Sequence, residues 1–317
     1  MSRHKNSKSF AGLSVLAVGA MYLINQSVSD SATVKNILKP ASGEYYKSKF
    51  GKIYYQVTGK GTTPLLLLHD AAPYSSAYEW KYLIDSLKAD YKIYTIDLLG
   101  CGRSDKPGIT YTNYLYVQLI RDFISNIIGQ PTVLAASGLS ASFAVTAARS
   151  DEELISSLIM INPHSLSFLK QVPDEKAKIL RAIMSIPVLG TTVYNIFMNK
   201  RRLEYELMED YFYNPFKVHK SFTDASYEAA HLSEGNGRFF LASLDGRFLF
   251  WDIERTFASL KQPVLLVYGE KLQNERVIAR SYQKLKKNVS VCPILAGKMM
   301  PQIECPEAVA DAIKNFA

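Results

Sequence analysis

The sequence predicts an α/β fold: a mostly parallel, doubly wound sheet carrying an inserted helical cap. Three observations predict it. Apolar runs such as residues 64–69 and 262–269 read as strands buried on both faces. Stretches of helical spacing alternate with them, as a parallel sheet requires. Between residues 165 and 252 that alternation stops, and the chain becomes strand-poor and rich in Tyr, Phe and Met. Such a break marks an insertion over the C-terminal edge of the sheet, where these folds place their sites.

The first segment is of another kind. Arg3, Lys5 and Lys8 form a basic flank over residues 1–8, and residues 9–29 carry no charge, with an apolar centre from Phe10 to Ile24. About 20 such residues span a bilayer's hydrocarbon core. The flank should remain cytoplasmic, so the expectation is a single-pass transmembrane signal anchor with its globular part extracytoplasmic. A cleaved signal peptide competes, since Val18, Gly19 and Ala20 loosely fit a cleavage site. The apolar residues beyond Ala20 favour the anchor. Residues 30–43, polar and ending in Pro40 and Gly43, read as a linker.

Residues 45–50 and 53–57, parted by Gly51 and Lys52, read as a hairpin. Residues 91–97 form a strand entering a turn-rich loop at 97–107. Residues 114–128 are helical, residues 154–161 a buried strand, and residues 289–295 and 306–316 the last strand and helix. The core thus comprises residues 44–164 and 253–317, and the cap residues 165–252. With 48% hydrophobic and 21% charged residues the chain is an ordinary folded one. Its +8 charge is dispersed, so no nucleic-acid partner is expected. Cys101, Cys292 and Cys305 have no metal-type spacing, and neither a metal site nor a cofactor is expected.

The chemistry should centre on residues 131–149, where an apolar run ends in small residues and passes directly into a helix. That is the form of a nucleophile elbow, and its tip is Gly138. The leucines before His69, the loop from Asp97 to Pro107, this elbow and the strand ending at Gly269 occur in an order that resembles the α/β-hydrolase superfamily. The resemblance covers residues 44–317. Within the cap, residues 186–190 and 242–247 are similar to those of a membrane-associated, capped branch. The resemblance implies a nucleophile, an acid and a His in that chain order, with backbone donors for an oxyanion. Here Gly138 stands at the nucleophile, Leu272 at the acid and Met299 at the His, while the His-Gly of the oxyanion loop is His69 and Asp70.

Glycine offers no attacking atom, leucine cannot orient an imidazole and methionine cannot shuttle a proton near pH 7. An Asp beside the oxyanion hole opposes the charge that must develop there. The expectation is therefore a membrane-anchored pseudoenzyme that binds a hydrophobic small molecule or a protein partner. A structural element of a membrane assembly is a further possibility. The alternative is a carboxylic-ester hydrolase using Ser140 with a displaced base. Pocket candidates are His69, Asp70, Ser137, Leu139 and His164; His4, His219 and His231 complete the histidines. Asp70 and Glu275 are candidates for a rebuilt acid pair. The cap aromatics, Tyr194, Phe197, Tyr211, Phe212 and Tyr213 with Met198, suit an apolar cleft as well as simple packing.

Overall fold

The computed structural model describes residues 3–39, 42–217 and 220–316, with side chains in the first helix from residue 16 onward. His219 and the side chain of His4 lie outside the described residues. Strands β1 (Glu44–Ser48) and β2 (Gly51–Thr58) form the expected antiparallel hairpin. They join β3 (Thr63–Leu68), β4 (Tyr91–Ile96), β5 (Thr132–Ser137), β6 (Ile155–Ile161), β7 (Val264–Gly269) and β8 (Val289–Ile294). The sheet order is β1-β2-β4-β3-β5-β6-β7-β8, and from β4 to β8 every pairing is parallel.

Helix α1 (Arg3–Thr33) precedes the sheet, and α2 (Lys81–Leu87), α3 (Asn113–Phe123) and α4 (Ser140–Ser150) connect its strands as far as β6. A helical layer follows: α5 (Leu166–Leu169), α6 (Glu175–Ser185), α7 (Leu189–Phe197), α8 (Lys200–Glu206), α9 (Lys220–His231) and α10 (Gly237–Asp245). Then come α11 (Glu254–Ala258), α12 (Glu275–Leu285), α13 (Pro301–Glu304) and α14 (Pro306–Phe316).

Strand side chains alternate between faces, and both faces here are apolar. Leu66, Leu68, Leu134 and Ala136 pack with Phe123, Phe143 and Tyr282 from α3, α4 and α12. Leu65, Leu67, Val133 and Ala135 pack on Trp80, Leu83, Val309 and Ile313. That two-sided burial is why the central strands are continuous apolar runs. The helical layer has its own core, in which Met184, Tyr194, Met198 and Leu241 meet Ala72 and Tyr74 from the loop after β3.

The N-terminal segment differs from a free tether. Helix α1 includes the expected span and continues to Thr33. Asn25 donates to Val188 O and Thr192 Oγ1 and accepts from Asn195, all on or beside α7, and Ser29 donates to His231 O. Beyond the helix, Lys35 pairs with Asp224, and the Ile37 and Leu38 amides donate to the Glu228 carboxylate. Buried polar groups on α7 and α9 needed partners, and this segment supplies them. Among the described residues no single helix is long and apolar enough to cross a membrane; the side chains of residues 9–15 lie outside them.

Candidate functional site

The site forms where β3 and β5 end side by side. After β3, His69 is fully buried, and its Nε2 accepts from the Leu98 amide at 2.9 Å. Its proton therefore sits on Nδ1, which donates to Asp70 O at 2.7 Å. Burial lowers the imidazole pKa, keeping it neutral. Both ring nitrogens are occupied in fixing the loop that presents Asp70.

After β5 the chain turns into α4 through Gly138, at a φ of +53°, a conformation that favours glycine. The Leu139 and Ala71 amides converge on one atom, Asp70 Oδ1, at 2.9 and 2.7 Å. These are the two positions from which an oxyanion hole is built, the residue after the nucleophile and the loop after β3. The hole is formed, and a carboxylate of the protein fills it. A Cβ placed on Gly138 would lie 2.2 Å from Asp70 Oδ1 and 2.3 Å from its Cγ. Asp70 thus occupies the space into which a side chain at 138 would project.

Beneath the elbow lies Glu79, from a 3-10 turn over Ala77–Trp80. Its carboxyl accepts from Ser137 Oγ, from Gln302 Nε2 at 2.7 Å and from the Asp70 amide at 3.1 Å. Burial pushes it up to about 7; the Ser137 hydrogen bond opposes the shift and the Asp70 charge adds to it. Ser137 is therefore tied below the elbow. Ser140 is fully buried and its Oγ donates to His69 O at 2.6 Å. No imidazole nitrogen hydrogen-bonds either hydroxyl among the described residues.

At the opposite corner Leu272 is half-buried and Met299 borders the cavity. Their loops are held by Asn162, just past β6, whose Oδ1 accepts from Gly269 N at 2.9 Å. Its Nδ2 donates to Lys298 O and Met299 O, each at 2.8 Å. Glu275 opens α12; burial pushes its carboxyl up to about 7, and it is not among the cavity's lining residues. The structure brings Asp70 together with Glu79, not with Glu275. No sequence motif singles out Glu79.

Above Asp70 and Leu139 opens a cavity of about 460 Å³, roofed by α7, α8 and α10. Leu241, Leu244, Phe197 and Met198 supply apolar wall, and His164 stacks on Phe168 with ring centroids 4.6 Å apart. Burial lowers the His164 pKa against the opposing charge of Asp70. Tyr74 donates to Glu206 Oε1 at 3.0 Å and so accepts from Tyr211, the two hydroxyls being 2.6 Å apart. Sequence reasoning missed Tyr74, Glu206 and Asn162, since each acquires its role only through residues more than 100 positions away. Among the described residues no three His, Cys, Asp or Glu side chains cluster to hold a metal ion.

Comparison with known proteins agrees with this architecture. The Alpha/beta hydrolase family model matches residues 65–312, and the chain belongs to that family. It is similar to epoxide hydrolase 3 of Xenopus tropicalis, 29% identical over 120 residues, covering 37% of this chain and 32% of that protein. The chain thus spans about a third of that relative's length. Over 272 residues it is 25% identical to 2-(acetamidomethylene)succinate hydrolase of Mesorhizobium japonicum, covering 84% of this chain and 92% of that one. A solved membrane phospholipase A described as a bacterial virulence factor superposes with a TM-score of 0.67 at 20% identity, covering 100% of this chain and 98% of that one.

Proposed function

We propose that this chain is a binding member of the family: its cavity holds a hydrophobic small molecule whose cationic or hydrogen-bond-donating end meets Asp70. The observation that carries the reading is the placement of Asp70 Oδ1 on both hole amides, in the space a nucleophile would need. A substrate oxyanion would have to displace a fixed carboxylate and then endure its charge, the reverse of transition-state stabilisation. The same carboxylate suits a donor, and no hydrogen bond reaches its second oxygen among the described residues. The test compares a dansylated long-chain alkylamine with its fatty-acid counterpart. The amine should bind at least tenfold more tightly, and Asp70→Asn should erase most of the preference. Stoichiometric fluorophosphonate labelling lost in Ser140→Ala would instead establish a serine hydrolase.

The apolar N-terminal helix and its basic flank support a membrane anchor with the globular part extracytoplasmic. The hydrogen bonds of Asn25 and Ser29 to the cap favour a retained helix. Alkaline-carbonate extraction and a topology reporter test both points.

A second reading rests on the same carboxylate and the epoxide hydrolases among the relatives. Asp70 could open a strained three-membered ether: its oxygen bonds to ring carbon, the ring C–O bond breaks, and the alkoxide takes a proton from the Tyr74–Tyr211 pair. With Met299 and Leu272 nearby in place of a base and its partner, the resulting ester would persist. Styrene oxide should then add its mass once, at Asp70, without turnover. An unmodified chain rejects this second reading.

A further inference from the structure

Helices α6 and α7 each bury one face, through Ala177 and Met184 in α6 and Gly190 and Tyr194 in α7. Their opposite faces are also apolar, and these are uncovered. Ile179 is 61% exposed, Ile183 37%, Ile186 45%, Leu189 40% and Ile196 64%. An ordinary surface helix is polar on its outer side. A large exposed apolar patch rimmed by polar groups marks an interaction surface.

Charge identifies what it meets. Residues 175–202 contain six cations, Lys176, Lys178, Arg181, Lys200, Arg201 and Arg202, against one acid, Glu175; Lys178 pairs with Glu175 and Lys200 with Asp224. Lys176, Arg181 and Arg201 are exposed around the apolar positions. Apolar residues interspersed with Lys and Arg are what the interface of an anionic bilayer takes up. Each cation near such a surface strengthens the attachment.

Neither helix is long enough to cross a bilayer by itself, and together they form no straight span. The hydrophobic stretch they form is bent by 113° between α6 and the segment Leu189–Tyr211. At 1.5 Å per residue, α6 is only about 16 Å long, against a hydrocarbon core of about 30 Å. They can lie in its plane. The N-terminal helix reaches the cap beside them: Asn25 is bonded to Val188 and Thr192, while Leu16, Leu23 and Ile24 remain exposed.

We infer that the outer face of α6 and α7 seats in the headgroup region of an anionic lipid bilayer. Phe197 and Arg202 border both that face and the cavity, so the cavity opens toward the lipid. This inference does not rest on the ligand proposed above. It rests on exposure, charge and the exit point of α1.

The test uses the full chain in vesicles of phosphatidylcholine and phosphatidylglycerol with brominated acyl chains. One tryptophan at a time is introduced as Ile183→Trp, Ile196→Trp and, at an exposed position of α12, Val277→Trp, each in a Trp251→Phe background. The buried Trp80 gives the same contribution to all three and is subtracted with the background chain. Bromine should quench positions 183 and 196 at least threefold more than 277. Omitting phosphatidylglycerol should weaken that difference, whereas α1 alone would hold all three variants equally. Trypsin provides a measurement on the unaltered chain: vesicles should slow cleavage at Lys176 and Arg181 about tenfold. Equal quenching at the three positions with unprotected cleavage overturns the proposal. So does protection that arises from self-association in the absence of quenching.

Discussion

Two corners of the sheet edge are held together in opposite ways. At the elbow, Leu139 and Ala71 still aim two amides at one point, and a charged group occupies that point. At the opposite corner, Leu272 and Met299 are uncharged and the loops are fixed by the Asn162 amide. The difference follows from backbone hydrogen bonding. Converging N–H groups demand an acceptor wherever the strand-to-helix turn survives, whereas a corner made of side chains can become apolar without leaving a donor unsatisfied. The backbone of the elbow thus fixes a point where an acceptor must sit, whereas the character of the opposite corner is left to its side chains.

The largest expected effect comes from placing a hydroxyl at the elbow. Gly138→Ser should lose about 4 kcal/mol in denaturant unfolding, from overpacking against Asp70 and the positive φ. Adding Asp70→Gly should recover at least about 1 kcal/mol of that, a coupling that a double-mutant cycle reads. An uncoupled result would mean the two residues do not compete for one space.

Asn162→Ala probes the other corner. Three hydrogen bonds disappear together, at about 1 kcal/mol each. The melting temperature should fall, and amide exchange should rise at Gly269, whose own N–H loses its acceptor. Unchanged exchange there would remove Asn162 from the account.

Protonation compares the buried acids with one another. Glu79 is raised from 4.5 to about 7, so the folded chain keeps a proton that the unfolded chain releases above about 4.5. Stability should therefore fall as pH rises from 4.5 to about 7 and lose nothing further from this group above it. At about 1.4 kcal/mol per pKa unit, the fall is roughly 3 to 4 kcal/mol at most. Glu275 is also raised to about 7 and contributes in the same window. Glu79→Gln should flatten part of the slope and Glu275→Gln the remainder, as followed by melting temperature against pH. A slope of the opposite sign contradicts both assignments.

The smallest effect, and the most specific, is Asp70→Ala. It leaves two amides converging on an empty hole, a loss of about 2 kcal/mol. Formate should stabilise this variant and leave the parent chain unmoved, which differential scanning calorimetry can decide.

Much of the architecture was legible beforehand. Residues 64–69 and 262–269 are apolar on consecutive positions because each strand buries both faces, and β3 and β7 lie there. The hairpin around Gly51 likewise followed from its turn. The N-terminal segment was less legible: residues 30–43 look like a polar linker, yet α1 continues to Thr33 and Lys35, Ile37 and Leu38 answer the carboxylates of Asp224 and Glu228 on α9. Glu79 belongs to no sequence motif, although burial and three donors make it the support of the elbow.

The sequence alone determined the layered sheet and which residue types stand at positions 138, 272 and 299, because hydrophobic period and side-chain identity are local properties of a chain. Tertiary structure alone decided that the Asp70 carboxylate fills the hole, that Glu79 supports it, and that Tyr74, Tyr211 and Glu206 wall the space above. Those roles arise when a loop after one strand, a turn beyond it and helices from the cap converge, and hydrogen-bond satisfaction and burial exist only at such meeting points.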